Sequence, residues 1–204
     1  MITDVPGVDG AYKAANTEAQ RNFGAELTRG HMNPSDINSF DTNFQKATFT
    51  LTNVVPQYKE SNNGPWNAFE DKIKDYAKET YWSPSRQGTL YLLTGKSENG
   101  LNNVPKLPLR DTFTVGPRTV KLVTPRAVWT AGCCVWKEPG KWLGRLWKNE
   151  KAKSFAVMSN NHYDKNQLHQ TPMSVVDLQH HLSAGTNVDL FPGNANCALN
   201  NKNL

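Results

Sequence analysis

The feature that most constrains the fold is a stripe of large apolar residues directly after a glycine-proline pair. Its members recur at spacings of three and four residues and are Trp66, Phe69, Ile73 and Tyr76. That spacing places them on one face of a helix, where they are able to pack on a sheet. Pro65 favours the first position of this helix because the N–H that proline lacks would be unpaired there in any case. The pattern therefore predicts a helix over residues 65–79.

Strand patterns surround this helix. Segment 47–55 alternates threonines with other residues, a rhythm typical of a β-strand, and Pro56 marks its end. Further strands are predicted at 89–94, 118–124, 127–135 and 154–158. A second helix is predicted at 174–182, with Asp177 near its start as the helix dipole prefers. This strand-rich order with two helices indicates an α+β fold.

Composition indicates one folded domain over residues 1–204. The chain has 204 residues, of which 37% are hydrophobic and 10% aromatic, enough to build a sizeable core. It contains neither a repeat nor a low-complexity tract. Residues 1–22 are small and polar and predict a weakly packed lead-in with at most a short helix. Residues 194–204 form a polar tail.

Charge and apolar runs narrow the class of protein. Lys and Arg number 23 against 18 Asp and Glu, so the formal charge is +5, which fits a polyanionic partner without proving one. No apolar run approaches the roughly 18 residues that a membrane span requires. The first residues lack the basic start and apolar stretch of a signal peptide.

The three cysteines leave two alternatives open. Cys133, Cys134 and Cys197 have neither the Cys-x-x-Cys spacing of a zinc site nor the density of a disulfide scaffold. Neighbouring cysteines bridge each other only with strain, so a bond from Cys197 to one of the adjacent pair is the economical pairing. Three buried free thiols would give the same sequence.

A candidate site is spread over two segments. Arg29 and His31 lie two residues apart, so on a strand both side chains share a face. Asn62 stands just before the predicted helix and Glu70 on its flank; a helix that starts at Pro65 leaves Asn62 in a loop, free to turn back. These groups supply a base, an oxygen ligand, a second acceptor and an anion clamp, as a hard cation and a phosphate require. A surface ion pair for Arg29 and a core position for His31 are the alternatives.

Several motifs occur in one order along the chain. They are Arg29-Gly30-His31, Asn33-Pro34, Thr52-Asn53 with Pro56-Gln57, Asn62-x-Gly64-x-Trp66, and Phe69-Glu70, followed by Gly88 to Gly95, the strand 128–135 with its paired cysteines, Met173-Ser174-Val175 and Phe191-Pro192. Over residues 22–193 this series resembles the DNA/RNA nonspecific endonucleases. These are the ββα-metal nucleases, which include mitochondrial endonuclease G and secreted endonuclease-domain-containing proteins.

The resemblance implies a fold and a chemistry. It implies a mixed or antiparallel sheet with a helix at the metal site, and hydrolysis of DNA and RNA to 5′-phosphate products. By matching positions, His31 is the general base and Asn62 the direct ligand of a single hydrated Mg²⁺, with Mn²⁺ or Ca²⁺ as substitutes. The resemblance further implies that Glu70 holds metal-bound water and that Arg29 lies beside the phosphate. The family further implies secretion, with a disulfide in agreement.

Two departures from the family pattern support a second hypothesis. Thr28 stands where the family usually has an acid, and the chain resembles a form shortened at its front, without the strands that relatives carry there. These departures favour a catalytically silent member that binds nucleic acid or protein, as an alternative to the nuclease.

A basic cluster is the candidate surface for nucleic acid. Cations between residues 137 and 153, with Lys141, Arg145 and Lys148 as its centre, are interleaved with tryptophans. Such a pattern grips a phosphate backbone without reading sequence and stacks bases. A solvated hairpin whose tryptophans reach into the core is the alternative.

Overall fold

The computed structural model describes residues 8–81, 88–101, 108–115, 118–139, 148–183 and 185–199, with the backbone alone described at 79–81, 108–115, 118–121, 138–139, 148–149 and 199. These residues divide into two compact units. One is drawn from the chain up to Glu70 together with Gly95–Val128 and Ser159–Gln170. The other is drawn from Asp71–Thr94, Trp129–Met158 and the chain from Thr171 onward.

The described residues form helices and antiparallel strands in mixed order. The helices are α1 (Val8–Phe23), α2 (Thr42–Ala47), α3 (Lys59–Ser61), α4 (Asn67–Tyr81), α5 (Val175–Leu182) and α6 (Asn196–Leu199). The strands are β1 (Leu27–His31), β2 (Val54–Tyr58), β3 (Thr89–Ser97), β4 (Pro108–Val115), β5 (Arg118–Val123), β6 (Ala127–Pro139), β7 (Lys148–Asn160) and β8 (Gln170–Met173). The α+β prediction is confirmed.

Three sheets organise these strands. β1 and β2 form an antiparallel pair, β4 and β5 form another, and a four-stranded sheet has the order β3-β6-β7-β8. The β1–β2 pair is followed along the chain by α4, which gives the ββα order that the family resemblance implied. No described helix is long and apolar enough to cross a membrane.

For the described residues 8–22, the prediction of a weakly packed lead-in is wrong. Helix α1 runs for 16 residues and buries one face, including Tyr12, Ala15 and Ala19, in a core that also contains Leu27 and Tyr58. It packs against β1 and the β4–β5 pair. The face is built mainly from small side chains, which let a helix approach its neighbours closely and bury surface without a conspicuous apolar stripe.

The strand predicted at 47–55 is also wrong. Helix α2 ends at Ala47, a 3₁₀ turn covers Leu51–Asn53, and the strand begins only at Val54 and runs through Pro56 to Tyr58. Asn53 explains part of the difference. Its side-chain amide donates to the carbonyl oxygens of Asn33 and Thr48, both at 2.9 Å, and its Oδ1 accepts from the Asn33 N–H at 2.8 Å. These bonds hold a turn where local alternation predicts a strand.

The helix predicted at 65–79 is confirmed with a shifted start. All members of the apolar stripe are at most 4% exposed. The Tyr76 ring meets the Phe155 ring of β7 edge to face, with centroids 5.3 Å apart, so this part of the stripe packs on the sheet as predicted. The regular helix α4 begins at Asn67, directly after a π-helical turn over Asn62–Trp66 whose backbone is broken at Gly64.

The remaining element predictions are confirmed with modest changes in length. Strands β3, β6 and β7 cover the segments predicted as 89–94, 127–135 and 154–158, and β5 ends one residue before the end of the segment predicted as 118–124. Helix α5 matches the prediction for 174–182. Ser174 caps it by accepting from the Asp177 N–H at 2.9 Å, while the Asp177 carboxylate accepts in return from the Ser174 N–H. This reciprocal cap explains why the helix begins where it does.

One of the two cysteine alternatives is realised. Cys133 of β6 is bonded to Cys197 of α6, and Cys134 is a buried free thiol. The bonded pair lies in a small core with Ala152, against which Val135 and Phe191 pack. The disulfide therefore attaches the C-terminal helix to the sheet, as the economical pairing predicted.

Candidate active site

The β1–β2 pair carries the motif residues Arg29 and His31. Arg29 stands opposite Pro56 and His31 opposite Val54 in the antiparallel register. Because side chains alternate along a strand, Arg29 and His31 share one face of β1, as predicted. The hydroxyl of Thr28 donates to the Gln57 carbonyl oxygen at 3.0 Å, so Thr28 joins the two strands although it offers no carboxylate.

His31 is held as a neutral imidazole. Its ring meets the Phe49 ring edge to face, with centroids 5.0 Å apart. Its Nε2 is buried and has no hydrogen-bond partner among the described residues. Burial lowers the pKa of His31 below its ordinary value of 6.5. The imidazole is therefore uncharged at neutral pH and has a nitrogen lone pair that is able to accept a proton.

A glutamine connects the His31 strand to the turn that carries Asn62. The Gln57 side chain is fully buried against Gly30, where a Cβ would lie only 2.0 Å from Gln57 Oε1. Gln57 Nε2 donates to Ser61 Oγ at 3.1 Å, and Ser61 directly precedes Asn62. Because Gly30 has no side chain, the Gln57 side chain fits against β1, here called the motif strand because it carries Arg29 and His31, and extends to this turn.

The Asn62 turn differs from the predicted loop. Asn62 has helical backbone angles (φ −68°, ψ −51°) and opens a wide π-helical turn that ends at Trp66. Gly64 interrupts this turn with non-helical angles (φ −99°, ψ −112°). Glu70 lies in the first turn of α4, beyond the break. The prediction of a loop is therefore wrong, although the break still separates Asn62 from the regular helix.

The donor types at this turn suit a hard cation. Asn62 is half-buried, and among the described residues its side-chain N–H has only a long contact, 3.5 Å, to Asn63 Oδ1. An amide oxygen and a half-buried carboxylate such as Glu70 are ligands that Mg²⁺ accepts together with water. No three His, Cys, Asp or Glu side chains of the described segments are grouped to hold a metal ion. A site built on one amide oxygen and water does not need such a group.

Arg29 is bound by helix α1. Its Nη2 forms an ion pair with the Asp9 carboxylate, and its guanidinium carbon lies 4.8 Å from the centre of the Tyr12 ring. Burial raises the pKa of Tyr12 to about 12, while the charge of Arg29 opposes part of this rise. The ion pair was one of the alternatives for Arg29. Its contact with a phosphate stays a prediction.

Asp9, Tyr12 and Asn161 are the residues that the sequence analysis missed. Asp9 and Tyr12 stand one helical turn apart, a spacing that places both on one face of α1. Asn161 lies next to β7, accepts from the Tyr58 N–H at 2.9 Å and donates to the Pro56 carbonyl oxygen at 3.2 Å. No local pattern marks an asparagine that binds backbone groups so far away along the chain.

The basic cluster lies largely outside the described residues. Lys141 and Arg145 are not among them, and for Lys148, the first residue of β7, only the backbone is described. The prediction that these three side chains bind nucleic acid therefore stays a prediction.

Comparison with known proteins decides the family. Residues 3–195 match the family model for DNA/RNA non-specific endonucleases. The chain belongs to this family. The match covers the motif strand, the Asn62 turn and the apolar helix, so the family resemblance and the ββα fold that it implied are both confirmed.

Curated relatives are nucleases of animals and cyanobacteria. The chain is 37% identical over 95 residues to the mitochondrial nuclease EXOG of Xenopus laevis, which is 46% of this chain and 25% of that protein. It is 34% identical over 87 residues to the mouse EXOG, 42% of this chain and 23% of that protein. It is 34% identical over 86 residues to a nuclease of Nostoc, 41% of this chain and 30% of that protein. The matched stretch thus spans about a quarter of these relatives.

Proposed function

We propose that this chain is a metal-dependent nuclease that hydrolyses DNA and RNA without sequence preference and leaves 5′-phosphate ends. The observation that carries the proposal is His31 on strand β1 of a non-specific endonuclease family member: its pKa is lowered by burial, and its buried Nε2 has no hydrogen-bond partner in the described part of the chain. A nuclease that reads no bases needs a base, a metal and a positive surface, and no recognition helix.

In the proposed reaction, His31 acts as the general base. Its nitrogen lone pair takes a proton from water, and the hydroxide so formed attacks the phosphorus atom. The bond from phosphorus to the 3′ oxygen breaks, the 3′ oxygen takes up a proton from solvent, and the phosphate stays on the 5′ side. The lowered pKa keeps this lone pair free at neutral pH. The edge-to-face contact with Phe49 restricts the orientation of the ring, which reduces the cost of orienting the base for the reaction.

Asn62 and Glu70 are the residues proposed to hold the metal. Asn62 offers its amide oxygen as the direct ligand and Glu70 its carboxylate to water around the ion. When bound, Mg²⁺, or Mn²⁺ or Ca²⁺ in its place, neutralises charge on the phosphate and the leaving oxygen. Gln57 and Ser61 maintain the position of the Asn62 turn relative to β1. Arg29 is proposed to contact the phosphate.

The test is nicking of supercoiled plasmid by pure protein with Mg²⁺, in the presence and absence of EDTA. His31→Ala is expected to lower the rate about 10²-fold or more and to leave the Mg²⁺ dependence intact, because the base is not a ligand. Asn62→Ala is expected to raise the Mg²⁺ requirement, and Glu70→Ala to do so less severely. His162→Ala removes another half-buried histidine and is the matched control.

A catalytically silent member that binds nucleic acid or protein is the second candidate. The observation that favours it is Thr28, whose hydroxyl bonds to the Gln57 carbonyl oxygen and leaves this position of the motif without a carboxylate. Absence of nicking at micromolar protein, with a gel shift retained, would support this candidate over the nuclease.

The basic cluster is proposed to bind the phosphate backbone of the nucleic acid. Charge reversal of Lys141, Arg145 and Lys148 is expected to weaken binding of all sequences equally and to flatten its salt dependence. An unchanged salt slope would mean that the cluster is only a solvated surface.

Secretion is proposed from the resemblance to secreted members and is supported by the Cys133–Cys197 disulfide, since such bonds persist in oxidising compartments.

A further inference from the structure

Helix α1 supplies two different partners to the guanidinium of Arg29. The carboxylate of Asp9 pairs with Nη2, and the ring of Tyr12 lies under the guanidinium at 4.8 Å. The pair is partly shielded, with Arg29 26% and Asp9 47% exposed. A carboxylate at one end and an aromatic face beneath restrict both the position and the plane of the guanidinium.

The helix is itself fixed against the strand that carries Arg29. The N–H of Leu27 in β1 donates to Asn16 Oδ1 of α1 at 2.7 Å. Tyr12 and Leu27 belong to the same core. Asp9 and Tyr12 therefore stand on a helix whose position relative to β1 is set by a buried contact. Because Arg29 belongs to β1, the same contact sets the position of Asp9 and Tyr12 relative to Arg29.

Strand β1 does not provide a carboxylate for Arg29 from its neighbouring position. Thr28 has only a hydroxyl, which is used in the bond to Gln57. The ion pair with Asp9 engages Nη2, and the described residues offer no hydrogen-bond partner to Nη1. Nη1 therefore remains able to donate to an anion such as a phosphate oxygen.

We infer that Asp9 of α1 is a positioning residue of the cleavage site, which orients Arg29 for its contact with the substrate phosphate. The inference rests on the proposed function. Asp9 acts through Arg29 and does not touch the reacting atoms. Helix α1, which the sequence indicated as a weakly packed lead-in, is thereby part of the active centre. The opposite role is an inhibitory one, in which Asp9 competes with the phosphate for Arg29.

The experiment compares Asp9→Asn, Asp9→Glu and Arg29→Ala in plasmid nicking with Mg²⁺, with kcat and KM measured separately. Asp9→Asn is expected to lower kcat about 10-fold with a smaller change in KM, since small misplacements of a positioned group are costly. Asp9→Glu is expected to recover part of the rate. In the Arg29→Ala background, Asp9→Asn is expected to have no further effect, because both changes remove the same contact.

Glu26→Gln is the matched control. It removes the ion pair between Glu26 and Lys59, at the other end of the same strand pair. Lys59 Nζ and Glu26 Oε2 are 2.6 Å apart, and both side chains are about half exposed. It is expected to leave kcat unchanged. NMR of the Arg29 side-chain Nε–H is expected to show a loss of order in Asp9→Asn, and thermal unfolding shows whether that variant is folded.

Four results would overturn the inference. An unchanged kcat in Asp9→Asn would show that the contact is only structural, and a faster variant would show that it is inhibitory. A full effect of Asp9→Asn in the Arg29→Ala background would show that Asp9 acts by another route. A wild-type protein that does not nick DNA would refute the proposed function and this inference together, whereas EDTA-sensitive nicking with an unchanged variant refutes the inference alone.

Discussion

Replacement of Gly30 by alanine tests the connection between the motif strand and the Asn62 turn. A Cβ at this position would lie 2.0 Å from Gln57 Oε1 and 3.1 Å from both Cβ and Cδ of the same residue. Gln57 is fully buried and donates to Ser61, so any rotation away from a new Cβ would break this hydrogen bond inside the protein. Gly30 is not among the described glycines with positive φ, so backbone strain does not add to the clash.

The expected cost follows from two effects. Insertion of a methyl group into a packed interior costs about 1–3 kcal/mol of the free energy of unfolding. If Gln57 moves instead, the bond to Ser61 is lost and buried polar groups are left unpaired, at about 1–3 kcal/mol. Because both effects arise from the displacement of one side chain, they overlap. We expect Gly30→Ala to lower the free energy of unfolding by about 1–3 kcal/mol.

Urea unfolding measures this cost. Gly10→Ala is the matched control, since Gly10 lies inside helix α1 with no atom within 4 Å of a new Cβ. It is expected to raise the free energy of unfolding by about 0.5–1 kcal/mol through helix propensity. In a Gln57→Ala background the cost of Gly30→Ala is expected to fall below about 1 kcal/mol. An equal cost in both backgrounds would refute the proposed clash.

Three further predictions concern the disulfide, the histidine and a buried amide. Cys133→Ser removes the bond to Cys197, 64 residues later in the chain, and is expected to lower the free energy of unfolding by about 4 kcal/mol. Identical urea midpoints for the variant and the wild type would contradict this. The free energy of unfolding should fall as the pH drops through 6.5, because the unfolded chain protonates His31 before the folded one does; His31→Ala should flatten this slope, and an NMR titration midpoint above 6.5 would contradict it. Asn161→Ala leaves the Tyr58 N–H and other buried backbone groups unpaired and is expected to lower the free energy of unfolding, measured with urea, by about 3 kcal/mol or more. A loss below about 1 kcal/mol would contradict this.

Local patterns in the sequence determined the elements whose energetics are local. The apolar stripe along 66–76 predicted helix α4 because its spacing matches the helix period. Asp177 marked the start of α5, where it completes the cap with Ser174. The shared face of Arg29 and His31 followed from strand alternation alone. The order of the motifs identified the family, since the spacing of motif residues along the chain can be read from the sequence without knowledge of the fold.

Only the tertiary structure decided the features that depend on distant partners. Segment 47–55 alternates like a strand, yet the Asn53 side chain binds Asn33, twenty residues earlier, and stabilises a turn instead. Helix α1 has small side chains whose burial becomes visible only against β1 and the β4–β5 pair. The carboxylate that pairs with Arg29 also lies on this helix, in Asp9, twenty residues earlier in the chain. Periodicity encodes which face of an element is apolar, whereas the identity of the residue that meets that face is set by how the chain packs.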